Sequence, residues 1–220
     1  MGSAAGCLGD DSPVPDEPPP ETAITAAPIP ADPRGHRYET MGTGDDPVVT
    51  YYSSWKCPAC ASFSEGLLET IASEFVGPGS LSLVHRALGY APNGDPFLGA
   101  DAPLISRAGI AVWRTDPDHF WPFYKLVMRN QPPPEEEWAT ADTVMNFAST
   151  AGVADIDGVE ELLHSEAIEE AVMETTAAAS SVGVGGTPWF EVGGDSFSPT
   201  DDPDATIERL EAAVDEASTG

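Results

Sequence analysis

Positive charge is scarce in this chain. Nine lysines and arginines stand against 37 aspartates and glutamates, a formal net charge of -28, and only Lys56 and Lys125 are lysines. A nucleic-acid surface needs clustered Lys and Arg to meet phosphates, so that class is excluded. Electrostatic attachment to anionic lipid is excluded for the same reason. Cysteine is scarce as well. Cys7, Cys57 and Cys60 are the three present, too few for a small scaffold stapled by disulfides. The histidines, His36, His85, His119 and His164, are scattered, which disfavours a closed zinc site built on Cys57 and Cys60. No apolar run is long enough to span a membrane.

What is abundant is acid, and it recurs through the patterned segments as well as at the N-terminus. Self-repulsion on this scale destabilises a compact fold at low salt, so the composition points to a salt-loving organism. Molar salt screens charges within a few ångström, and the sign of the charge therefore says little about the substrate. With 220 residues and 41% apolar side chains, the chain suffices for one well-packed domain, or for one domain carrying an insertion.

Residues 1–35 are rich in Pro, Ala, Asp and Glu; the prolines at 13, 15, 18–20, 28, 30 and 33 rule out helix and central strand. The expectation is a disordered, solvated leader or tether. The folded domain is expected over 36–220. Arg37–Met41 reads as a short edge strand, and Val48–Tyr52 as a strand covered on both faces. From Pro58 onward, Phe63, Leu67, Leu68, Ile71 and Phe75 recur at helical spacing until Gly77-Pro78-Gly79. Leu81–Leu88 reads as the next strand, which makes a βαβ unit. Between about 91 and 158 the pattern is helical: Pro103–Arg114, Asp118–Met128 with an aromatic stripe, and Thr140–Ala151. A long helix then carries Ile168, Val172, Thr175, Ala179 and Val182 on one face. Thr187–Val192 is strand-like, Gly193-Gly194-Asp195 is a hairpin turn, and Asp202-Pro203 opens a final helix.

The chemistry concentrates in Cys57-Pro58-Ala59-Cys60. The motif lies between the Val48–Tyr52 strand and the first turn of a helix. There the unpaired N–H groups and the positive end of the helix dipole favour a thiolate at Cys57. A thiolate is the attacking species in thiol–disulfide exchange. Lys56, next in sequence, is expected to add positive charge and lower the Cys57 pKa further. Pro188, after a glycine run and at the start of a strand, is an edge-strand residue or a cis-proline. Trp55 and Trp189 read either as a binding platform near the pair or as core aromatics.

The order strand, Cys-x-x-Cys helix, strand, helix, Thr-Pro strand, hairpin, helix resembles the thioredoxin fold, an α/β fold. Several features resemble its DsbA-like thiol–disulfide oxidoreductases: the Cys-Pro-Ala-Cys pair, the helical insertion containing Phe120-Trp121, and the Gly-Gly-Thr-Pro-Trp-Phe segment ending at Phe190. The resemblance covers 36–220. It implies that Cys57 is the exposed nucleophile and Cys60 the buried resolving thiol, with Pro188 the cis-proline. The Thr187 backbone would then meet an extended client chain as an added strand, with Pro58, Ala59 and Trp189 beside it. No cofactor is implied. The partners implied are client proteins with thiols or disulfides and a redox partner that recycles the pair.

Ala4-Ala5-Gly6-Cys7 is similar to the end of a lipoprotein signal, although only six residues precede Cys7 and no apolar stretch does. The expectation is a haloarchaeal lipoprotein-type protein, anchored through Cys7 outside the cytoplasm on the membrane's outer face. Ala59 stands where oxidising members often carry His. Forming, reducing and isomerising disulfides therefore all remain open, as does a non-enzymatic binding module with a static Cys57–Cys60 disulfide.

Overall fold

The computed structural model describes residues 12–45 and 47–219; the lipid-anchor reading of Cys7 lies outside them. A five-stranded mixed sheet organises the chain, in the order β1-β3-β2-β4-β5. Its centre is β2 (Val48–Ser53), whose valines and tyrosines suit a strand covered on both faces. β3 (Ser82–Ala87) runs parallel to β2, pairing Val49 with Leu83 and Tyr51 with His85. A parallel neighbour requires a crossover, and the motif helix provides it. β1 (Thr40–Met41) is the short antiparallel edge beyond β3. β4 (Trp189–Val192) lies antiparallel on the other side of β2, and β5 (Asp195–Phe197) returns through the Gly193-Gly194 turn. Both glycines there have positive φ, 59° and 88°, the conformation a two-residue hairpin demands.

The crossover helix is broken. α1 (Pro58–Glu65) stops at Gly66, α2 (Leu67–Ile71) resumes, and Ala72–Val76 widens into a π turn closed by Gly77 N–H donating to the Ala72 carbonyl at 2.8 Å. The break frees the Ser64 carbonyl, and Lys125 fills the gap. Its Nζ donates to Ser64 O at 2.7 Å and pairs with Glu65 and Glu69 at 2.9 and 2.7 Å.

α3 (Ala102–Thr115), α4 (Phe120–Asn130) and α5 (Ala141–Thr150) match the expected insertion helices to within a few residues. α6 (Ile156–Leu163) was not expected, and the insertion boundary near 158 falls inside it. This helix is short, and its start rests on one side chain: Asp155 accepts from the Gly158 N–H at 3.0 Å. α7 (Glu166–Ser181) and α8 (Pro203–Thr219) complete the chain. The aromatic stripe of α4 packs under the motif loop, where Trp55 meets Phe120, Phe123 and Tyr124 at ring-centroid distances of 5.4–6.2 Å. Gly109 on α3 makes that approach possible, since a Cβ there would stand 2.6 Å from Trp55 Cζ2. A buried polar chain lies below: Ser53 Oγ meets His85 Nε2 at 2.5 Å, and His85 Nδ1 faces Glu39 at 3.5 Å.

The expectation of a free leader over 1–35 needs correction for the described part. Residues 12–35 form no helix or strand beyond a 3-10 turn at Pro33–Gly35, as the prolines dictate. They nevertheless lie against the body. Ile24 is fully buried, its N–H donates to Glu69 at 3.2 Å, and the Pro28 carbonyl accepts from Gly42 N–H at 2.6 Å. An extended proline-rich strip has no hydrogen-bonding demand within itself, so a few apolar residues suffice to dock it. Composition averaged over the segment hid them.

Candidate active site

Cys57 is the N-cap of α1, in extended conformation, with Pro58 at the first helical position. Proline fits there because its missing N–H would have no partner in the first turn. The Cys57 N–H donates to the Ser54 carbonyl at 3.1 Å, a turn that sets the sulfur at the helix mouth. Cys60, one turn on, is fully enclosed. The description of Cys57 as exposed needs qualifying: only 7% of it is accessible, while Pro58 and Ala59 beside it are exposed. Both cysteines are free thiols in this structure.

The Thr187-Pro188 segment arrives from the far side of the sequence. Its peptide bond is cis, and the Cys57 thiol donates to the Thr187 carbonyl at 3.3 Å. Cys57, Cys60, Thr187 and Pro188 are therefore brought together, with Pro58 and Ala59 on the rim. Trp189 and Trp55 separate. The Trp189 indole donates to Ser196 Oγ at 2.5 Å and packs on the cluster of Tyr52, Leu88 and Ala179. Trp55 is core, 1% accessible, which answers the platform alternative for that residue. Along the outer side of α1 runs an open cavity of about 390 Å³, lined by Ala59, Ser62, Phe63, Leu67, Thr200 and Pro203.

The two thiols are driven apart in acidity. Cys57 is lowered to about 6, chiefly because the Cys60 thiol hydrogen-bonds its sulfur; burial opposes, and the Thr187 side chain and the N–H groups of Cys60 and Ala59 assist. Cys60 is pushed well up, first by burial, then by its hydrogen bond to Cys57 and the negative charge that Cys57 takes. The helix N-terminus thus contributes as expected. Lys56 does not. Its side chain is fully buried and its charge is taken up elsewhere, the Nζ paired with Asp101 and donating to the Glu136 carbonyl at 2.9 Å. Adjacency in sequence did not reveal which way a five-atom side chain would run.

Two site neighbours escaped the sequence reading. Tyr51 and Tyr124 face each other at 3.2 Å between hydroxyl oxygens. Burial pushes both phenols up, and the nearby Cys60 adds to the rise. Tyr51 could have been found from strand parity, being six residues before Cys57 on the buried side. Tyr124 could not, since it was one of several aromatics in a stripe. Among the described residues no cluster of three His, Cys, Asp or Glu side chains stands ready to hold a metal ion.

The comparisons agree with this geometry. A family model described as thioredoxin matches residues 39–216. The Bacillus cereus protein named "Probable disulfide bond formation protein D" is 31% identical over 163 residues, 73% of this chain and 72% of that protein. "Disulfide bond formation protein D" of Bacillus subtilis is 25% identical over 173 residues, 77% of this chain and 75% of that one. Among solved structures, oxidised BdbD from Bacillus subtilis superposes with a TM-score of 0.71 at 23% identity, covering 86% of this chain and 97% of that one. DsbA from Chlamydia trachomatis gives 0.65 at 18% identity, covering 91% and 98%; at these identities the likeness concerns the fold. The family match runs through both halves of the sheet and the helical insertion between them, so the chain belongs to the DsbA-like thiol–disulfide oxidoreductases of the thioredoxin superfamily.

Proposed function

We propose that the protein works outside the cytoplasm as a disulfide donor to client proteins, with Cys57 the exchanging sulfur and Cys60 the resolving one. The observation that carries this reading is the split between the thiols: Cys57 lowered to about 6, Cys60 raised and enclosed. In the oxidised protein a client thiolate attacks Cys57 Sγ. A client–Cys57 disulfide forms, the Cys57–Cys60 bond breaks, and Cys60 leaves as a thiolate that takes a proton. A second client thiolate then attacks the client's sulfur, and Cys57 departs as a thiolate. The client has lost two electrons and two protons, and the pair has gained the electrons. A stable Cys57 thiolate is a good leaving group, which favours the donating direction; the disulfide-forming role in the relatives' names supports it.

The Thr187 backbone beside Cys57 is the edge on which an extended client chain would lie, and the cavity along α1 offers apolar surface to its side chains. A membrane-side or soluble redox partner recycles the pair. Attachment through a lipidated Cys7, on the outer face of a salt-loving cell, belongs to this reading and rests on the sequence alone.

The test is exchange with glutathione and with a reduced, disulfide-requiring client in molar salt. Cys57→Ser should abolish turnover, and Cys60→Ser should accumulate a mixed disulfide with client through Cys57. A Cys60→Ser variant that gathers no client under oxidising conditions would overturn the proposal in favour of a static disulfide module.

A further inference from the structure

Asp101 sits at the N-cap of α3, where an aspartate ordinarily accepts from the first N–H groups of its own helix. Here its side chain makes no such cap. The carboxylate turns to the motif loop instead. One oxygen pairs with Lys56 Nζ, and the other accepts from the N–H groups of Trp138 and Ala139, both at 2.9 Å. Lys56 immediately precedes Cys57, is fully enclosed, and also donates to the Glu136 carbonyl. Gly99, with φ +137°, leaves room for the pair: a Cβ there would collide with Lys56 Nζ and stand 3.0 Å from Asp101 Oδ1. Three segments thus converge on one enclosed cation next to the reactive cysteine.

Salt does not screen a charge in that position. An enclosed ammonium without a counter-ion favours negative charge on any group near it, and Cys57 is one residue away. The other titratable neighbours do not take that part. Tyr51 on β2 and Tyr124 on α4 are neutral buried phenols, and the Glu136 side chain is exposed. Cys60 stays a thiol under the Cys57 sulfur.

We propose that Asp101 is a positioning residue for the exchange reaction: by cancelling the charge of Lys56 it sets how oxidising the Cys57–Cys60 pair is. This rests on the reading of Cys57 and Cys60 as a redox pair. It assigns the helical insertion a second task, since the counter-ion comes from its first helix. Asp101 acts on Cys57 only through Lys56 and touches no client.

The signature is a pair of opposite signs. Asp101→Asn keeps one oxygen to accept from both the Trp138 and Ala139 N–H groups and leaves Lys56 uncompensated. The Cys57 thiolate should then titrate at lower pH, and the equilibrium with glutathione should shift toward donation, by about threefold to tenfold. Lys56→Met leaves the carboxylate uncompensated and should move both readouts the other way by a similar factor. The double variant Lys56→Met/Asp101→Asn should return both to within about twofold of the parent, because the net charge at the site is restored. The measurements are ultraviolet thiolate absorbance against pH and glutathione equilibration of the full chain in molar salt, with thermal unfolding alongside. Single variants that shift in the same direction, or that lose stability with the titration unmoved, would mean that the pair only holds the loop in place and would overturn the inference. If one single variant does not fold, the other, read against the double, still gives the sign. A parent protein that does not exchange with glutathione at all sinks the redox reading itself, an outcome distinct from parent exchange with unmoved variants.

Discussion

At Cys57 and Cys60, identical side chains one turn apart are driven in opposite directions. The cause is position alone: one sulfur stands at the mouth of a helix and accepts a hydrogen bond, the other is sealed beneath it. A depressed thiol pKa favours the reduced protein, which has the thiol, over the oxidised one, which does not. That contribution is fully present above the ordinary thiol range and is lost as pH falls through about 6. The reduced form should therefore gain stability relative to the oxidised form between about pH 6 and 9, and Cys57 alkylation should reach half its maximal rate near pH 6. Stopped-flow alkylation of reduced protein checks the second point; an inflection near 9 would mean that the Cys57 environment is not as described. At this scale the sequence placed Cys57 at the helix mouth and Cys60 one turn on, because helix ends are legible in sequence. It told the role of Lys56 wrongly, because the partner Asp101 lies 45 residues away.

Elements are held in register by a few close approaches, and Gly109 makes one of them. Its missing side chain lets α3 lie against Trp55, which has no room to swing among Phe120, Phe123 and Tyr124. Gly109→Ala would ordinarily gain up to about 1 kcal/mol of helix propensity. Here the overpacking should dominate, destabilising by about 1–3 kcal/mol, read as a lower denaturation midpoint with an unchanged slope. A gain in stability would show that α3 can slide. The helices of the insertion were legible wherever apolar residues recurred over three turns. α6 was not, since Ile156, Val159, Leu162 and Leu163 cover barely two. The break at Gly66 was equally hidden: a lone glycine in a helical pattern is tolerated more often than it breaks one, and here Lys125, from α4, completes the broken turn.

For the whole molecule, charge and the docked leader matter most. With a net charge of -28, like-charge repulsion between exposed acids opposes folding until salt screens it. Thermal unfolding should move to higher temperature as sodium chloride rises from about 0.1 M toward molar; a flat response would remove the halophilic reading. The leader supplies a sharper test. Ile24→Ala should cost about 2–4 kcal/mol, because Ile24 is buried against the body, whereas a solvated tether would register no change in the unfolding midpoint.

The enclosure of Lys56 and Lys125 has a consequence for the chemistry of the surface. They are the only lysines in the sequence, and neither shows more than 2% of itself to solvent. Of its lysine and arginine side chains, the folded protein presents only guanidinium to solvent. Acylation, glycation and other reactions that seek a side-chain primary amine find no target on it until it unfolds, so lysine labelling reports unfolding directly.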